Sequence, residues 1–316
     1  MKALLDVKDI QADLADKENR TPLSFAAESN CEEGVRLLLA RGDVDPNSAD
    51  TKLLHTPLMF AAQNGSTEAG ILLAQRADVD PNRVGTSNKT ALAFAAEAGN
   101  EPITRFLLAR EDVDPNLHKP VIDAAHHFWA NLIDLFLARN DVDINAARED
   151  GTTALAVAAA EHRRSDDVKA LLEFGANPNP VDERGRTPLI IALQRGTHYI
   201  GTALLSWPEV APNMRDRDGR TALSHAASRG CGEMCSILLQ ERHDTDPNIP
   251  DNDGRTPLSY AVDSASEPVV RMLLAHPDID PNHVEDNGKT PLSYAIERGL
   301  DGISVMIQRR IDEMGR

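Results

Sequence analysis

The chain has few aromatic side chains, 4% of its 316 residues, and only three cysteines. So little aromatic bulk argues against one large central core. It favours packing by Leu, Ala and Val within a hydrophobic share of 41%. Three scattered cysteines cannot make a disulfide framework and fit a reducing compartment, so the cytoplasm or the nucleus is expected. No run approaches the ~18 apolar residues of a membrane span. The opening Met1-Lys2-Ala3-Leu4-Leu5-Asp6 is charged too early for a secretory signal. Basic charge is short as well: 33 Lys+Arg stand against 50 Asp+Glu, a net charge of −17. That balance argues against nucleic acid or an anionic membrane as partner. A glycine-rich phosphate loop, a Gly-x-Ser-x-Gly nucleophile and a paired-Cys zinc spacing are all missing, so no cofactor and no enzymatic activity are expected.

What the sequence does have is a period. Thr-Pro-Leu or Thr-Ala-Leu, followed by an Ala-rich helix, starts at Thr21, Thr56, Thr90, Thr153, Thr187, Thr221, Thr256 and Thr290. A degenerate copy sits at Lys119-Pro120-Val121, and the intervals are 35, 34, 29, 34, 34, 34, 35 and 34. Each unit reads as helix, tight turn, helix and protruding loop. Thr suits the N-cap and Pro the first helical position. Gly at the tenth position (Gly65, Gly99, Gly196, Gly230, Gly299) suits a left-handed stop. A second apolar run such as Val35–Leu39 follows, and Asp-Val-Asp-Pro-Asn then ends the unit.

This unit resembles the ankyrin repeat, whose signature is close to Thr-Pro-Leu-His-x-Ala at a 33-residue period. The likeness runs over roughly residues 4–311, and the loop style is similar to that of arrays from filamentous fungi. It implies an all-α solenoid with short hairpin-like loops, and protein recognition as the function. The family's His after Leu is replaced by Ser24, Met59, Ala93, Ile122, Ala156, Ile190, Ser224, Ser259 and Ser293. That change is expected to remove a local hydrogen bond but not the fold. With no Gly/Ser linker, 1–316 reads as one domain, with 1–20 a partial repeat. The chain is expected to be a monomer, or a segment of a larger multidomain protein.

The Asp pairs of the repeated loop, from Asp43/Asp45 to Asp278/Asp280, read first as turn chemistry and solubility, and second as an acidic docking rim. From Thr153 to Arg220 nine basic residues balance nine acidic ones, a neutral window in an acidic array. The resemblance places partner contacts on the hairpin tips and inner helices. There the residue before Thr forms a mostly basic ladder: Arg20, His55, Lys89, His118, Thr152, Arg186, Arg220, Arg255 and Lys289. Such a ladder is either part of the repeat pattern or a docking surface. Within it Arg184, Arg186, Arg195, Arg217, Arg220 and Arg229 are the candidates for an acidic segment of a partner protein.

The repeat at Lys119 is the outlier and the expected weak seam. Its loop is five residues short, and Phe128 stands where the turn Gly belongs. Across three successive helix–helix turns lie His127, Trp129, His162, Arg163 and Tyr199. Drift with Trp129 filling a gap, a partner anchor, or a metal or general-base site built on Asp123, His127 and His162 all account for them. Cys231 and Cys235, four apart on a second helix, read as small packing residues.

Overall fold

Uniform Thr-initiated segments of about seven helical residues cannot bury a face alone, so each must lean on its neighbours. The computed structural model describes residues 10–126, 130–161 and 165–315. Two compact units are delimited, Met1–Ala146 and Ala147–Arg316. Among the described residues there are eighteen α-helices and no strand.

In the first unit the inner helices are α1 (Pro22–Glu28), α3 (Pro57–Gln63), α5 (Ala91–Glu97) and α7 (Pro120–His126). The outer ones are α2 (Glu32–Leu39), α4 (Thr67–Ala74), α6 (Glu101–Leu108) and α8 (Ala130–Leu137). Each inner helix stacks on the next inner one, and each outer on the next outer. The second unit repeats the scheme. Inner helices are α9 (Ala154–Ala160), α11 (Pro188–Arg195), α13 (Ala222–Ser228), α15 (Pro257–Asp263) and α17 (Pro291–Glu297). Outer ones are α10 (Ser165–Glu173), α12 (His198–Leu205), α14 (Gly232–Ser236), α16 (Glu267–Ala275) and α18 (Asp301–Met314). A π-helical turn at Ile237–Glu241 continues α14 and takes up the extra residue of that 35-residue interval.

The local signals act as their chemistry dictates. The cap threonines accept from the N–H three residues on, as Thr187 does from Ile190 at 3.3 Å. The Leu and the apolar pair of the inner helices are buried, as Leu58, Ala61 and Ala62 show, except in the last one, α17, where Leu292 is half-buried and Ile296 exposed. The five turn glycines are left-handed, and Asn30 (φ 54°) and Ala265 (φ 52°) take that conformation at the same repeat position. The missing family His is partly made good. The Oγ of Ser24 lies 3.2 Å from that of Thr21, and the Thr290 N–H donates to Ser293 Oγ at 2.9 Å.

The acidic loops are held by two sets of rungs. Asn82 donates to the Asp112 carbonyl at 2.6 Å and accepts from the Asp114 N–H at 2.9 Å, one repeat ahead. Asn47, Asn116, Asn213 and Asn248 do the same. Arg110 pairs with Asp112 at 2.6 Å and donates back to the carbonyls of Ala74, Arg76 and Val79. The second Asp of each loop accepts the N–H of the Asn two residues on, as Asp80 does from Asn82. The carboxylates therefore perform turn chemistry. Most hairpin-like fingers are turns closed by a pair of backbone bonds, such as Gly85 N–H to Lys89 O at 3.1 Å and Asn88 N–H to Gly85 O at 2.9 Å. Neighbouring fingers join by another bond, such as Arg217 N–H to Arg184 O at 2.8 Å.

The outlier closes its shortened finger with two consecutive left-handed residues, His118 (φ 62°) and Lys119 (φ 54°). Neither is glycine, so each carries strain of ~1–2 kcal/mol. No threonine caps α7, and the Ile122 N–H reaches the Lys119 carbonyl instead.

Candidate protein-binding site

Position in the repeat decides what each basic residue meets. The residue before the cap Thr projects over the inner helices, where Phe or Tyr recurs at the fourth position after Thr. In the first unit the Arg20 guanidinium lies 4.0 Å from the Phe25 centroid and 4.3 Å from that of Phe60. His55 is wedged edge-on between Phe60 and Phe94 at 5.3 and 4.9 Å. In the second unit Arg220 stands 4.1 Å over Tyr260, Arg255 stands 4.4 Å over the same ring, and Lys289 stands 5.1 Å over Tyr294. Acids eight residues on, at the end of the inner helix, meet four of these charges: Arg20–Glu28 2.5 Å, Lys89–Glu97 2.8 Å, Arg255–Asp263 2.9 Å and Lys289–Glu297 2.6 Å. Ring contacts such as Arg20 on Phe60, His55 on Phe94 and Arg220 on Tyr260 thus bond the ladder repeat to repeat, and the ion pairs anchor each charge to the inner helix of its own repeat.

The six candidate arginines divide accordingly. Arg186 pairs with Asp182 at 2.6 Å and donates to Gln194 at 3.1 Å. Arg220 is half-buried on Tyr260. Arg229 donates to the Gln194 carbonyl at 3.1 Å, covering the last turn of α11, and a Cβ on Gly196 would stand 2.9 Å from its Nη2. Arg184, Arg195 and Arg217 are exposed and have no ion pair among the described residues.

Arg184, Arg186 and Arg217 come together with Gln194, Asp216 and Asp218 around a cleft of about 340 Å³ between two fingers and α11. Gln194 carried no signal beyond its place after the buried inner-helix residues. Asp216 is buried and spent internally: it accepts from the N–H groups of Asp218 and Arg220, and from His225 Nε2 at 2.7 Å. Desolvation holds the His225 imidazole below its ordinary range. The Arg220 charge adds to this, and Asp216 opposes it. The cleft therefore offers two exposed guanidinium groups, a side-chain amide and one exposed carboxylate, a surface for charged and hydrogen-bonding groups.

The helix-turn cluster is covered only in part. Tyr199 lies on α12, 43% exposed, and does not line the cleft. His127, Trp129, His162 and Arg163 lie outside the described residues. Asp123 is buried in α7. Among the described residues no group of three His, Cys, Asp or Glu is placed to hold a metal ion, and no helix is long and apolar enough to cross a membrane.

Comparison with known proteins adds the lineage. Segments of the chain are similar to human rabankyrin-5 (37% identity over 103 residues, 29% of this chain and 9% of that protein). They are similar to human neurogenic locus notch homolog protein 4 (35% over 86 residues, 27% of this chain and 4% of that protein). Mouse ankyrin repeat domain-containing protein 63 matches at 37% over 107 residues, 33% of this chain and 27% of that protein. The chain covers under a third of the length of each of these relatives. A family model for multiple ankyrin repeats matches residues 43–119, 121–207 and 197–285, and a single-repeat model matches 18–51. With the stacked helix pairs, the left-handed turns and the capped inner helices, these matches place the chain in the ankyrin-repeat family.

Proposed function

We propose that the chain is a non-catalytic protein-binding module, working as a monomer or as part of a larger protein in the cytoplasm or nucleus, with no cofactor. Its partner docks on the face formed by finger tips and inner helices of the second unit, and an acidic segment of that partner meets Arg184, Arg195 and Arg217. One observation carries the reading: these three exposed guanidinium groups have no internal ion pair among the described residues, whereas Arg186 and Arg220 of the ladder beside them are engaged by Asp182 and Tyr260. Arg186, Arg220 and Arg229 hold the surface behind them. Arginine binds carboxylates bidentately, so exposed guanidinium groups with no internal ion pair suit an acidic peptide.

Family membership supports the general role, since ankyrin arrays are interaction modules. The fingers are tied to one another by backbone bonds, so little ordering accompanies association. The neutral window within an acidic chain adds electrostatic contrast that steers a partner into register. Tyr199 offers a separate contact on the outer helices, and His127, Trp129, His162 and Arg163 extend that proposal on sequence grounds alone.

The test uses wild-type chain and the Arg184→Glu/Arg195→Glu/Arg217→Glu variant side by side. Affinity capture from the native cell and binding of a labelled poly-glutamate peptide should both drop at least about tenfold in the variant, with unchanged circular dichroism. Equal capture by the two proteins would remove the patch from the interface.

A further inference from the structure

Cys231 does not pack as its neighbour Cys235 does. Cys235 is fully buried, and desolvation pushes its thiol up to about 12. Cys231, one turn earlier, is half-buried, and its Sγ stands 3.3 Å from Nδ1 of His198. The imidazole belongs to the previous repeat, on the first residue of α12.

Comparison across repeats sets this pair apart. At the same repeat position Ser66 donates to the Glu28 carbonyl, Thr197 to that of Ala159, and Asn100 to Thr67 Oγ1. Each of those groups meets a carbonyl or hydroxyl, neither of which takes up a proton near neutral pH. At Cys231 the partner is a nitrogen base. Glycines flank it on both sides, Gly230 and Gly232, so no adjacent side chain covers the sulfur. Cys31 occupies the equivalent place in the first complete repeat; it is exposed, and no imidazole stands beside it among the described residues.

We propose that Cys231 and His198 form a thiol–imidazole dyad, making Cys231 the site at which this chain is oxidised by hydroperoxides. His198 Nδ1 takes the thiol proton and the sulfur attacks one peroxide oxygen. An S–O bond forms as the O–O bond breaks. Sulfur is oxidised to the sulfenic acid and the peroxide is reduced. The departing hydroxide, or the alkoxide of an organic hydroperoxide, takes the imidazolium proton and leaves as water or alcohol. Removing the thiol proton raises nucleophilicity because the thiolate is the attacking species. Sulfenic acid is the reversible first rung of cysteine oxidation.

The two cysteines make the experiment internally controlled. The whole chain is treated with hydrogen peroxide at neutral pH in the presence of dimedone, and labelling is followed by peptide mass spectrometry. Cys231 is expected to label about tenfold faster than Cys31, although Cys31 is the more exposed. His198→Thr, which places there the residue found at Thr67, should bring the two rates together; His198→Gln should do the same. Circular dichroism identifies any variant that fails to fold, in which case the wild-type ratio decides. Cys31 labelling as fast as Cys231, or a Cys231 rate indifferent to both folded substitutions, would overturn the dyad.

Discussion

The Arg220 guanidinium lies 4.1 Å from the centre of the Tyr260 ring, one repeat further along the chain. Arg255 covers the same ring at 4.4 Å, so Tyr260 is held between cations of successive repeats. A residue that sequence marks as a docking charge is therefore an element of repeat stacking. Arg220→Ala should lower stability by ~1–2 kcal/mol through lost cation–π contact and lost cover by its aliphatic stem. Arg217→Ala, an exposed finger residue, should stay within ~0.5 kcal/mol of wild type. Urea denaturation of both variants checks the contrast, and equal losses would refute the division of the arginines into stacking and exposed groups.

The Asn rungs give a second expectation. Asn82 exchanges two hydrogen bonds with the next loop, at 2.6 and 2.9 Å. Asn82→Ala removes both and should cost ~1 kcal/mol, the bonds lying near solvent. The local mark is more telling than the global one. The Asp114 amide loses its acceptor, so its hydrogen exchange should accelerate while amides of the second unit keep their rates.

Much of this architecture is legible in the amino-acid sequence because the signals are local. A cap Thr, Pro at the first helical position and Gly at a left-handed stop each act within one helix. The rungs are harder to read because Asn82 and Asp112 are thirty residues apart, and Asp-Pro-Asn looks like a complete turn on its own. The arginine ladder is ambiguous for a related reason. Its aromatic partners recur at the same period, so a stacking role and a docking role leave identical marks in the sequence. Cys231 reads as a packing residue because its base comes from the preceding repeat. The hydroxyl bonds of Ser24 and Ser293 show the same effect at short range, where a substitution that deletes one bond supplies another.

Ala265 tests the turn geometry directly. It holds φ at 52°, where three other turns of the second unit have Gly196, Gly230 and Gly299. A Cβ in that conformation is strained by ~1–2 kcal/mol. Glycine relieves the strain but loosens the unfolded chain by ~0.4–1 kcal/mol. Ala265→Gly should therefore stabilise by about 0–1.6 kcal/mol, read as a higher Tm. A lower Tm would mean that methyl packing outweighs backbone strain at this turn.

Acid sensitivity follows from two buried imidazoles, His225 and His55, and the half-buried one of His118. Desolvation lowers His225, with the Arg220 charge adding to it and Asp216 opposing, and desolvation also lowers His55 and His118. Each stays neutral in the folded chain over a range where the unfolded chain, with an ordinary imidazole near ~6.5, already binds a proton. The unfolded state then holds more protons, so stability rises with pH through that window. It is full above ~6.5 and falls as pH drops toward the depressed folded values. Thermal melts between about pH 7 and 5 should show a falling Tm. The next two repeats indicate how to remove one contribution: Tyr260 donates to Asp251, and Tyr294 to Glu285 at 2.9 Å, where His225 meets Asp216. His225→Tyr should keep that bond with a group that does not titrate in the window, giving a shallower fall in Tm than wild type. An equally steep fall in the variant would assign the acid sensitivity to His55, His118 and the carboxylates instead.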